Sequence, residues 1–118
     1  MEKENKIIIY KTKDGETEID VSMQNETLWL TQKSMAELFA CSTDNISLHL
    51  KNIFKDQELD KNSTTEDFSV VQKEGERQVK RTQTFYNLDA IISVGYRVNS
   101  TKATQFRQWA TKRINEYI

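Results

Sequence analysis

The sequence predicts a single α+β domain of winged helix-turn-helix type, with an N-terminal β-hairpin, a second β-hairpin as the wing, and two C-terminal helices. Three observations carry this expectation. Strand-like runs occupy the first 30 residues and return between 68 and 86, whereas 31–59 and 87–118 follow helical spacing. The stretch from Gln32 to Ser47 places small, capping and branched residues where two closely crossing helices need them. Positive charge is concentrated late: residues 69–118 hold nine basic against four acidic residues, although the whole chain has a net charge of −1.

The elements follow in order. Lys6 to Lys11 is short and β-branched, and Asp14-Gly15 marks a turn. Thr17 to Met23 alternates polar and apolar residues, the signature of a half-buried strand, and closes the first hairpin. Thr27 to Leu30 is a third short strand that leads into helix. Thr31 is an N-cap, with Met35, Leu38 and Phe39 at helical spacing behind it. Ser42 caps a second helix, which carries Ile46, Leu50, Ile53 and Phe54 on one face and fades near Leu59. Asp60 to Thr65 reads as a loop. Phe68 to Lys73 and Gln78 to Tyr86 form the second hairpin around Glu74-Gly75-Glu76. Asn87 caps a helix that runs to about Val98 with Gly95 inside it; an interior glycine costs about 1 kcal/mol relative to alanine unless something packs close against it. Ser100 is the expected cap of the last helix, whose stripe includes Ala103, Phe106, Ala110, Ile114 and Tyr117.

The length of 118 residues fits one domain spanning 1–118, large enough to bury a core. With 36% hydrophobic and 30% charged residues the composition is globular rather than disordered or membrane-bound. No run approaches the roughly 20 apolar residues of a membrane span. The charged N-terminus lacks the apolar core of a secretory signal, so a cytoplasmic location is expected. Cys41 is the single cysteine and His49 the single histidine, which leaves no internal disulfide and no zinc cluster at recognised spacing. No catalytic set is evident, and no metal or cofactor is expected. The chain reads as a non-enzyme. Its last residues carry no helix-stop signal, so it is expected to be the N-terminal piece of a longer protein.

The functional expectation rests on Gln32 to Ser47. A helix-turn-helix needs a small residue inside its first helix, and Ala36 fills that place. It needs a small residue in the turn, usually glycine; Ala40 stands there and is strained if the turn demands a positive φ. Cys41 and Ser42 supply an apolar residue and a cap, and Ile46 the inward branched residue. The N-terminal turn of the second helix would then meet the major groove. Thr43, Asn45, Ser47 and His49 are candidates for base edges, whereas Ser42, Lys51 and Gln32 are candidates for phosphates. Asp44 suits a helix N-terminus but would repel a nearby phosphate. Lys73, Arg77, Lys80 and Arg81 on the following hairpin are the expected wing contacts. Duplex DNA is the expected partner, with the chain acting as a homodimer.

The same spacing also describes two ordinary core helices. The apolar stripe of the last helix supports a different function, a protein-interaction module that grips a regulator protein through Phe106, Trp109, Ile114 and Tyr117.

Three stretches resemble one known family: Leu30 to Phe39 with Ile46 to Ile53, Phe85 to Val98, and Thr101 to Tyr117. Together they resemble the N-terminal region of the bacterial RhuM-type virulence proteins. Phe106-Arg107-Gln108-Trp109-Ala110 also resembles phage antirepressor N-terminal domains of the Bro and KilA type. The resemblance implies a DNA-binding domain of a longer, prophage-associated protein.

Overall fold

The computed structural model describes residues 6–116. In chain order it contains β1 (Lys6–Lys11), β2 (Glu18–Gln24), β3 (Thr27–Leu30), α1 (Gln32–Phe39), α2 (Thr43–Lys55), α3 (Lys61–Thr64), β4 (Thr65–Glu74), β5 (Arg77–Asn87), α4 (Leu88–Val98) and α5 (Ser100–Glu116). The α+β class expected from the sequence is the class observed. Within it, the strands form one antiparallel sheet in the order β1-β2-β3-β5-β4. The second hairpin is therefore not a separate unit. Its foot is paired to the N-terminal strands through Trp29↔Asn87 and Leu30↔Tyr86, which gives the buried edge of β3 backbone partners it would otherwise lack.

Strand alternation sorts the side chains into two faces. The front face carries Ile19, Val21, Met23, Leu28, Leu30 and Tyr86, all buried beneath α1, α4 and α5. Among the described residues, α1, α4 and α5 lie over the front face and not over the back. At the centre of the back face Trp29, Phe68 and Phe85 meet edge to face, with ring centroids 5.7 and 5.1 Å apart, and the Trp29 indole donates to the carbonyl of Gln24. Farther out on the same face, Ile7 and Ile9 are 55% and 56% exposed.

Two local features differ from the sequence expectation. The loop at 60–65 contains a helical turn, because the Asp60 carboxylate accepts from the Ser63 amide and the Thr64 hydroxyl donates back to the Asp60 carbonyl. The last helix is capped by Asn99, whose side chain accepts from the Lys102 amide, rather than by Ser100.

Ala40 is left-handed, at φ 56° and ψ 51°. An L-residue with a Cβ pays about 1–2 kcal/mol in that region. Glycine removes this strain but is more flexible when unfolded, which offsets about 0.5–1 kcal/mol. Ala40 is exposed, so no packing is lost. Ala40→Gly is expected to stabilise the domain by about 0.5–1 kcal/mol, read as a higher urea midpoint at an unchanged m-value.

Candidate nucleic-acid interface

The two-helix unit is built by short-range bonds. The Thr31 hydroxyl accepts from the Ser34 amide at 3.2 Å and starts α1. The left-handed Ala40 then lets both its own amide and that of Cys41 donate to the Ala36 carbonyl. Chain direction reverses within three residues, and the Ser42 hydroxyl accepts from the Asn45 amide at 3.1 Å to start α2. Ile46, Leu50 and Ile53 seat α2 on α1 and α4 rather than on the sheet. The helix is thus an outer layer with one side in solvent.

That solvent side carries Thr43, Asp44, Ser47, Leu48, Lys51 and Lys55, with Leu48 54% exposed. Asn45 and His49 are half-buried. Asn45 spends hydrogen-bonding capacity on the Cys41 thiol, whose pKa burial pushes up and this bond partly pulls back. His49 Nδ1 is buried without a hydrogen-bond partner, so that atom is sealed from any outside ligand. Ser42 is exposed, and its hydroxyl oxygen serves as the helix cap. Asp44 lies in the first turn, where a carboxylate complements the helix dipole and opposes phosphate.

Gln32 has a structural tie: its Nε2 donates to the Tyr86 hydroxyl at 2.8 Å and fastens the start of α1 to the foot of β5. Beside this bond lies an open groove of about 330 Å³ lined by Thr31, Gln32, Lys33, Gln83, Thr84 and Tyr86. Lys33 was missed in the sequence reading, since nothing local distinguishes it from any solvated lysine. Only the approach of β5 to α1 gives it a setting.

Beyond the groove, β4 and β5 continue as a ribbon of two strands. β3 pairs with β5 at Asn87 and Tyr86, so among the described residues no third strand pairs with the hairpin from Ser69 to Thr82. At about 3.3 Å per residue the projecting part reaches roughly 20 Å to the turn at Gly75. Lys73, Arg77, Lys80 and Arg81 are all exposed on it, but the register divides them. Lys73 and Lys80 share the front side with Tyr86, whereas Arg77 and Arg81 share the back side with Phe85. Arg81 is held by Glu74 through two 2.9 Å bonds, and this carboxylate raises its pKa further.

The expected partner surface on α5 needs correction. Phe106 is completely buried, packed against the Tyr10 ring at 5.1 Å, because α5 closes over β1 and β3 and the stripe is used by the core. Trp109 lies 4.9 Å from the same tyrosine and under the Arg113 guanidinium, and it and Ile114 are half-buried against the core. Tyr117 lies outside the described residues. Among the described residues, no three His, Cys, Asp or Glu side chains gather as metal ligands, and no helix is long and apolar enough to cross a membrane.

Residues 63–118 match the virulence protein RhuM family. This match likens the C-terminal half of the chain to the RhuM family. The RhuM match starts at the end of α3 and takes in the ribbon, α4 and α5; it stops short of α1 and α2. The two-helix unit lies wholly outside the matched residues. No curated protein and no solved structure matches the chain.

Proposed function

We propose that this chain, whose residues 63–118 match the RhuM family, is a duplex-DNA-binding module of winged helix-turn-helix type. In this reading the N-terminal part of α2 enters the major groove and the β4–β5 ribbon lies along the backbone. The observation that carries it is the Thr31-capped α1, left-handed Ala40 and Ser42-capped α2, which hold a helix with a polar, uncovered side on the outside of the domain. The projecting ribbon adds weight, because a two-stranded hairpin is only marginally stable by itself and this one carries cations to its tip. Thr43, Ser47 and Lys51 are the side chains best presented for contact, and the Leu48 side chain suits a thymine methyl. The module works without a cofactor or catalytic role of its own, in the cytoplasm, as a homodimer on a two-fold site.

A second reading, a protein-interaction module of the antirepressor kind, is favoured by one observation. The uncovered back of the sheet exposes Ile7 and Ile9, an apolar pair on an edge strand. If the chain acts this way, that face replaces the α5 stripe as the contact.

Fluorescence anisotropy on a random-sequence duplex, across a salt series, separates the two. DNA binding predicts an affinity that falls with salt at about 0.9 logarithmic units per phosphate contact. Failure to bind at low salt removes the DNA reading and leaves the isoleucine face as the surface to pursue.

A further inference from the structure

The ribbon has two sides, and they differ in charge. On the back side, Arg77 and Arg81 are accompanied by Glu66 and Glu74, and Glu74 already holds Arg81 in a bidentate pair. A guanidinium clamped in this way must lose two charge-assisted bonds before it can fork onto a phosphate. The outer back side also carries Val70, Gln72 and Val79, whereas Val71 is on the front side. On the front side, Lys73 and Lys80 make no ion pair among the described residues, and the acidic residue on that side, Asp67, sits near the foot, accepting from the Thr84 hydroxyl at 2.7 Å. Ser69, Gln78 and Thr82 surround the two lysines on the same side and are exposed, so neutral donors accompany the charge.

Spacing agrees. Lys80 is opposite Val71, which makes Lys73 its diagonal neighbour across the ladder. Diagonal positions lie about 7–8 Å apart, and phosphates on one DNA strand recur every 3.4 Å of helix axis. Two flexible ammonium groups at that separation can each take a phosphate on one strand. The front side also runs down to the groove beside α1, where Lys33 and Thr84 continue it.

We propose that the front side of the ribbon, through Lys73 and Lys80, is the surface that follows a duplex-DNA backbone, and that the arginine-bearing back side does not. This rests on the DNA-binding reading. It divides four cations, alike in sequence, into two that contact phosphate and two that serve the ribbon itself.

The test compares Lys73→Ala/Lys80→Ala with Arg77→Ala/Arg81→Ala in the 118-residue chain, by anisotropy on one random-sequence duplex across the same salt series. The lysine pair is expected to lose roughly tenfold or more in affinity at 0.1 M salt and to lower the salt slope by about 1.8. The arginine pair is expected to change affinity less than about threefold. Lys73→Arg/Lys80→Arg keeps both charges and should restore binding, which separates lost contacts from a collapsed hairpin. Equal losses in both pairs, a larger loss for the arginines, or no rescue overturns the proposal while leaving DNA binding in place. A parent chain that does not bind duplex at low salt overturns both.

Discussion

Phe106→Ala is expected to lower the stability of the domain by about 3–5 kcal/mol, the range for removing a buried aromatic ring. The side chain has no exposed surface and packs against Tyr10 at 5.1 Å and Trp109 at 5.6 Å. Alanine would leave a cavity between α5 and the first strand, and neither ring can slide in without leaving its own edge-to-face contact. For a domain of this size the thermal midpoint should fall by about 10–20 °C. Urea unfolding followed by tryptophan fluorescence checks it, since Trp109 borders the cavity. A loss below about 1 kcal/mol would show that α5 is loosely held and would return Phe106 to the surface. The consequence for function is direct: loss of a partner after altering Phe106 reports unfolding, so an interaction surface must be tested at Ile7 and Ile9 instead.

Gly95→Ala is the second large effect, and two terms of opposite sign decide it. In the interior of α4, alanine gains about 1 kcal/mol over glycine in helix propensity. Against this, an added Cβ would lie 2.6 Å from Cζ of Phe39 and 2.7 Å from Cβ of Ala103. The Phe39 ring is rigid and buried, and Ala103 is fixed on α5, so neither yields cheaply. Overpacking of this kind costs about 1–3 kcal/mol, and the collision wins. The net expectation is a loss of up to about 2 kcal/mol with a lower urea midpoint. A gain in stability would mean that α4 and α5 can separate by a few tenths of an ångström at little cost. Because Phe39 ends α1, the strain would also reach the two-helix unit, and the same variant should bind DNA less well if that unit must stay in register.

Much of the local structure was legible. Thr31, Ser42 and Asn87 were expected as caps, and each accepts a bond from the amide three residues on. Ala40 was expected to be strained if the turn demands a positive φ, and its φ is 56°. Gly95 inside a helix left open either a plain cost or a close neighbour, and Phe39 and Ala103 are such neighbours. The α5 stripe was expected to be apolar, with either the core or a partner as its cover, and Phe106 and Ala110 are buried in the core. Spacing shows that a face is buried, and it cannot say whether the cover is the same chain or another.

The candidate site divides along the same line. The outward residues of α2 followed from helical period once Ile46, Leu50 and Ile53 were taken as inward. Asn45 and His49 look equally available in sequence, yet both are half-buried, because α2 packs against α4 as well as α1. Lys80 and Arg81 are adjacent in sequence and face opposite ways on the strand, while Arg81 is bound to Glu74 across the turn.

The sequence by itself determined the helix starts, the turns, the alternating strands and the late concentration of positive charge. These depend on residues within about four positions of one another, where hydrogen-bond and steric preferences act directly. Only the tertiary structure decided that one sheet joins both hairpins, that Phe106 belongs to the core, and that Gln32 is tied to Tyr86 across 54 positions of chain. Such contacts arise when two distant segments each leave a backbone edge or an apolar face to be covered, and nothing local to either segment names the other.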